Sequence, residues 1–469
     1  MRKKIFLSTL LFLSSSLLAQ ETWNVDMSGN WGTNTNWNPQ VVPNGVGVSA
    51  TFGNKITTLR MVTLDISPTV GTIAIDSGFN YVIQPTGGNF LTMSVGSGNA
   101  MITVTSVNGN SSHVISAPMT LTSNLAITST MNPAVAELFL LGVISGPGSL
   151  SISGVGINAL FNMSAINTYN GGTTITNATV DLGVANALPP TGSLSLSTNA
   201  FVQLAAFAQS VGTLTGDSTS TIDLSNTTLT LNATTTSNYA GLLTSTAASN
   251  LLMQGTGPLN LTGATNFRGT AQINSGTLRI GFTNALNPAV NVAVNSPGVF
   301  DLNGFSQMVA NLTGSGNVFL DTAATVLTVT PTVSPDIFAG AISGPGALAV
   351  VGPSTFRLTT VSSYTGGTTV SGGGVLQLTV NNALFSMGSM ALNGGSLDVS
   401  STTAQSIGTL SGTGNISLGS AVLTINGLTN ATYSGSIIAS PGSVIYQGPA
   451  TLILNGNSFY TGGTTINGG

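Results

Sequence analysis

One string returns along the chain at nearly constant intervals, and that recurrence limits the possible folds more than any other feature. YNGGTTI begins at Tyr169, YTGGTTV at Tyr364 and YTGGTTI at Tyr460, with a degraded copy, FRGTAQI, at Phe267; the intervals are 98, 97 and 96 residues. Other markers keep step. Asn-Ala-Leu ends at Leu188, Leu286 and Leu384, and the central leucines of GTLTG, ANLTG and GTLSG are Leu214, Leu312 and Leu410. ISGPG begins at Ile144 and again at Ile342, two periods apart. A fixed internal period points to a repeat architecture in which each unit buries its apolar face against its neighbours.

A shorter rhythm lies inside the long one. A glycine followed at +2 and +4 by apolar residues recurs at Gly276, Gly298, Gly316, Gly346, Gly374, Gly395, Gly414 and Gly442, and all sixteen apolar slots are filled. Alternation at period two marks a strand with one buried face, and the glycine supplies the turn before it. Hairpin stacks turn every ~8–12 residues and propeller blades repeat at ~40–50. The observed spacings, 22, 18, 30, 28, 21, 19 and 28, fit neither. They fit one turn of a parallel β-helix, whose turns stack at ~4.8 Å, and the crossover rule predicts the right-handed form. Residues 148–469 would then make roughly fourteen turns, and copies one superperiod apart would lie four turns, ~19 Å, apart.

Composition agrees with a solenoid and excludes several chemistries. Charged residues make up 4% of the chain, against ~25% in an average globular domain, so outward positions must be filled largely by Ser, Thr and Asn. There is no cysteine, which removes disulfides, zinc ribbons and thiol nucleophiles. The single histidine, His113, sits in the turn-rich run NGNSSHV and is expected in a solvated loop. No basic patch exists, so nucleic acid is not an expected partner, and neither a metal nor a cofactor is expected.

Residues 1–19 differ in kind. Arg2, Lys3 and Lys4 precede an apolar run from Ile5 to Leu13, and Leu17-Leu18-Ala19 follows; this is the layout of a secretory signal cleaved after Ala19. Its removal leaves 5 basic against 12 acidic side chains. The expected organisation is a signal at 1–19, an N-terminal cap with the first turns at 20–140, and repeats at 141–469.

The Y-[TN]-G-G-T-T-[IV] strings and their preceding GPG or GTG hooks resemble the passenger-associated transport repeat of autotransporter proteins, also described as the autotransporter-associated β-strand repeat. The opening TWNVDMSGNWGTNTNWNPQ, with Trp23, Trp31 and Trp37, resembles the start of many such proteins. The resemblance implies a secreted β-helical passenger at the surface of a Gram-negative-type bacterium, non-enzymatic and adhesive or structural. Its implied partners are a host or bacterial surface component or glycan, and the outer membrane through a C-terminal barrel that this sequence does not contain. It also implies that Tyr169, Gly171, Gly172, Tyr364, Gly366, Gly367, Tyr460, Gly462 and Gly463 are structural. The final YTGGTTINGG matches the unit at Tyr364, where a strand follows at once, so the repeats are expected to be truncated at the C-terminus.

Two rival functions remain open: a β-helical polysaccharide-degrading enzyme and a carbohydrate-binding scaffold. For the first, Asp301 and Asp321 fall on neighbouring turns, with Arg279 one turn earlier. Such a cluster is either a surface ion pair or an acid pair acting on glycan. For the second, Trp23, Trp31 and Trp37 are either the seal of the first turn or a sugar-stacking platform. Asp301 and Asp398 are expected on solvated outer faces, because their superperiod positions exchange with Gln203.

Overall fold

A computed structural model describes residues 20–105, 111–130, 137–154, 159–439 and 441–468; the signal segment at residues 1–19 lies outside them. Apart from a single 3-10 turn at Asn34–Asn36, every assigned element is a strand. The strands form a parallel β-solenoid of about 19 turns, roughly 90 Å long at the usual inter-strand spacing.

Each turn visits three faces. On the first, Ala50, Ile73, Ile102, Ile127, Ile152 and Ile175 lie one above another in successive parallel strands. Arg60–Leu64, Tyr81–Pro85, Ser112–Ile115 and Glu137–Leu140 begin the second face. Thr69–Val70, Leu91–Met93, Met119–Leu121 and Ile144–Ser145 begin the third. Leu125–Ser129 stacks directly on Leu150–Ser153, so the ladder runs unbroken past residue 140. Among the described residues one strand pairing is antiparallel, between Gln20–Trp23 and Trp37–Asn38 at the first turn.

The hook glycines behave as period-two alternation requires. Leu278, Phe300, Val318 and Leu348 are at most 1% exposed and belong to one continuous apolar core. Fifteen of the sixteen hook side chains are buried; Tyr446 is only partly so. Arg279 points outward and is exposed. Removing β-branched and aliphatic side chains from water contributes ~1.5–3 kcal/mol each, and here it does so without a charged shell.

The long period is not a whole number of turns. Hooks at Gly276, Gly298 and Gly316 open strands of the first face, where Leu278, Phe300 and Val318 stack. Gly346 opens a second-face strand, Gly374, Gly395 and Gly414 open third-face strands, and Gly442 returns to the first face. The first-face column is continuous through this region: Ser363 N–H donates to Ile342, Ser362 N–H to Ala383 and Asn382 N–H to Ala404. Hook spacings of 18–22 residues are therefore single turns, and those of 28 or 30 are a turn plus one face. A superperiod holds two long steps, so it advances four turns and two faces, ~22 Å rather than ~19 Å. Equivalent residues land on different faces: Asp181 on the second, Arg279 on the first, Gln377 on the third.

Candidate functional site

The repeat string makes a corner. Tyr169 enters the core and its hydroxyl meets Thr173 Oγ1 at 2.6 Å; Tyr364 and Thr368 repeat the contact at 2.7 Å, and Tyr460 and Thr464 at 2.6 Å in an exposed setting. Burial raises the Tyr169 and Tyr364 phenols above their ordinary range, so both stay neutral, and in each pair either hydroxyl can be the donor. Between aromatic and threonine the chain passes two glycines. A Cβ on Gly171 would lie 2.5 Å from Ser149 N, and one on Gly366 2.6 Å from Gly346. Gly172, Gly367 and Gly463 have φ of 82°, 87° and 83°, where a side chain is strained. At Gly462 a Cβ would meet Pro441 O at 2.2 Å. In the degraded copy Phe267 is buried without a hydroxyl to place.

Sequence reasoning missed the residue two before each aromatic. Asn167 Oδ1 accepts from Ile144 N–H at 2.7 Å, Ser362 Oγ from Ile342 N–H at 3.2 Å and Ser458 Oγ from Ile437 N–H at 3.2 Å. Ile144 and Ile342 are the first residues of the two ISGPG strings, so this bond ties one marker to the next. The signal was present as a column of small polar residues before Tyr169, Tyr364 and Tyr460.

The three tryptophans face inward, with Trp23 and Trp31 at 0% and Trp37 at 1% exposure. Trp37 meets Trp23 edge-on at 5.2 Å and Trp31 at 5.0 Å, and Phe52 lies beneath all three. Trp31 Nε1 donates to Pro43 O and Trp37 Nε1 to Trp31 O. The rings are neither coplanar nor open, so the sugar-stacking platform is not formed; the aromatics are consumed in covering the first turn's core.

His113 corrects the expectation of a solvated loop. It lies on Ser112–Ile115 with His113 and Ile115 both facing the core. Nδ1 accepts from Tyr81 N–H at 3.2 Å, and the ring stacks on Tyr81 at 6.5 Å. Nε2 has no hydrogen bond of good geometry, although the Ser77 backbone still acts on the ring. Burial dominates and lowers its pKa to about 4.

Asp301 and its neighbours form the densest charged cluster. Arg279 Nε donates to Asp301 Oδ2 at 2.7 Å, and Asn303 N–H donates to Oδ1 at 2.8 Å. Parity places Asp301 outward, as expected, yet it is only 7% exposed, because these neighbours cover it. Its burial would raise it, but hydrogen bonds from Asp321 and Arg279 prevail and hold it below the ordinary carboxylate range. Asp321 is raised, first by its own burial and then by Asp301. The two carboxyls are therefore neighbours that shift each other in opposite directions, beside the Arg279–Asp301 ion pair. A second polar relay crosses the third face: Arg357 Nε donates to Gln377 Oε1, and Gln377 Nε2 to Asp398 Oδ2 at 2.9 Å. Among the described residues no three His, Asp or Glu converge on a possible metal.

Elsewhere the outer surface is hydroxyl-rich. On the first face Ser151, Thr174, Ser195 and Thr215 stand in one column and Thr128, Ser153, Thr176 and Ser197 in the next. Ser195 and Thr215 hydroxyls bond at 2.6 Å, and Thr176 and Ser197 at 3.0 Å.

The passenger-associated-transport-repeat model matches residues 160–182, 251–280, 348–378 and 444–469. A stretch of 147 residues is 36% identical to the adhesin BmaC autotransporter of Brucella suis biovar 1 (strain 1330), covering 30% of this chain and 4% of that protein. No solved structure matches the chain. The first two matched segments end with Leu160–Met163 pairing Thr179–Leu182 and with Leu259–Leu261 beneath Thr277–Ile280, so the matched residues are the stacked strands and corners just described. Four segments of this β-solenoid are thus similar to passenger-associated transport repeats, and one 147-residue stretch is similar to an autotransporter adhesin of which the chain spans only a small part.

Proposed function

We propose that this chain is a secreted, non-enzymatic passenger displayed on the outer surface of a Gram-negative-type bacterium, where it acts as an adhesive or structural rod. The observation that carries the reading is the similarity to an autotransporter adhesin, in a chain that also holds the transport repeats. The uncharged hydroxyl columns support it. A long face of weak polar contacts suits a host or bacterial surface component or glycan, with binding spread over many turns. The nine repeat-corner residues, Tyr169 to Gly463, act in folding and stacking rather than in contact with a partner, and residues 20–140 serve as cap and first turns. The ion pair of Asp301 with Arg279, and its acceptance from Asn303 N–H, favour a structural role for that acid.

Deleting the gene in its own bacterium tests this reading. Attachment to surfaces or host cells should fall several-fold, and antibody against residues 20–469 should label intact cells. Replacing Asp301 and Asp321 by Asn should leave attachment within about twofold, since a distributed surface has no single indispensable group. Labelling only after permeabilisation, with attachment unchanged, overturns the proposal.

A further inference from the structure

The leucines spaced by one superperiod share a local device, and one copy of it holds an ionisable residue in the core. Gly216, Gly314 and Gly412, two residues after Leu214, Leu312 and Leu410, pair with the aromatics Tyr239, Phe338 and Tyr433 of the following turn. Two residues before those aromatics stand Ser237, Asp336 and Ala431. Ser237 Oγ accepts from Leu214 N–H at 3.0 Å, and Asp336 Oδ2 accepts from Leu312 N–H at 2.8 Å. The position thus needs at most one small acceptor, and in one unit it manages with a methyl group.

Asp336 brings more than the position can satisfy. It is 1% exposed, and its second oxygen, Oδ1, is buried without a hydrogen-bond partner. The strands packed against it are Leu312–Gly314 on one side and Thr355–Leu358 on the other. Their only charged side chain, Arg357, is in register with Ile337, not with Asp336, and its guanidinium engages Gln377. Among the described residues no charged group acts on the carboxyl; burial and the Leu312 N–H alone do. A buried carboxylate with one bond and no counter-ion is costly, whereas its neutral form is tolerated.

We propose that Asp336 is a proton-operated latch: with its carboxyl neutral the turn carrying Asp336–Phe338 is firmly seated, and on ionisation that turn loosens from the middle of the rod. Burial raises the carboxyl to about 6, against a partial opposing effect of the Leu312 N–H. A raised folded-state value means that the stabilisation is complete below the unfolded value of 3.8 and is lost as pH rises through about 6.

Hydrogen exchange of the full chain, corrected for intrinsic rates, tests the latch against Asp336→Ser, which copies the sibling unit. In the wild type, protection of the amides of residues 337–339 should drop up to ~100-fold between pH 4 and 7.5, about tenfold for each pH unit that separates the folded and unfolded values. In Asp336→Ser the drop should be under about threefold. Parallel profiles in the two proteins overturn the proposal. If Asp336→Ser does not fold, a carbon-13 carboxyl titration of the wild type decides: Asp336 still neutral at pH 5 supports the latch, and a midpoint in the ordinary carboxylate range overturns it.

Discussion

Leu376 and Gln377 are adjacent in sequence and opposite in environment. The first is sealed in the core and the second lies in an outer relay between Arg357 and Asp398. Such parity is legible from the sequence because it depends only on the glycine that starts each strand. What lies beside a residue on the next turn, some twenty residues away, is not legible. That is why Asp301 is correctly placed outward yet is covered, and why His113, flanked by turn-forming residues, turns out to be a core side chain. The histidine has a measurable consequence. Its pKa is lowered from 6.5 to about 4, so its share of stability is complete above pH 6.5 and disappears as pH falls through 4. The full effect is ~3 kcal/mol. Thermal melts of wild type and His113→Gln should run in parallel above pH 6.5 and converge or cross on acidification, because only the wild type loses stability by charging the ring. A constant difference from pH 7 to pH 3.5 would show that the ring does not titrate in this way.

At the scale of the element, the repeat corner joins two requirements that the sequence displays only as a string. Tyr364 must place its hydroxyl against Thr368, and Gly367 must turn with φ of 87° where a Cβ would lie 2.2 Å from Ser389 Oγ. The string itself announces a turn and a strand. Its pairing of Tyr with Thr four residues later is visible only once the strand is known to bend back over the ring. Tyr364→Phe should cost about 1–3 kcal/mol, because it leaves the Thr368 hydroxyl buried without its partner. Adding Thr368→Val should recover much of that loss, since removing both partners of a buried hydrogen bond is far less costly than removing one. Denaturation of the single and double variants checks this. Strictly additive losses would mean that the two hydroxyls are not coupled. Gly367→Ala offers no such rescue, because its penalty comes from backbone conformation as well as from contact.

For the whole molecule, the relation between sequence period and turn number determines what can be removed. The period of ~98 residues was plain, but the turn length behind it was not, because long and short hook spacings look alike until strands are assigned to faces. Each unit advances four turns and two faces, so a cut from one hook glycine to its equivalent joins a corner to the same kind of corner one unit later. Excising residues 276–373 would bring Ser275 directly onto Gly374, and the strand Val375–Leu378 would take the place of Thr277–Ile280, with Leu376 and Leu378 where Leu278 and Ile280 had been. Nearest-neighbour contacts define the stability of a solenoid, so the joined chain should fold. Small-angle scattering should show a rod shorter by ~22 Å with its β content per residue unchanged. Excising residues 276–325, about half a unit, would instead place Val326 at the hook glycine, Thr328 and Thr330 in the core slots of Leu278 and Ile280, and the apolar Leu327 and Val329 on the outer face. That chain should aggregate or lose β structure. If both excisions fold equally well, any turn can stack on any other and the long period has no structural role; if only the half-unit excision folds, the assignment of hooks to faces is wrong.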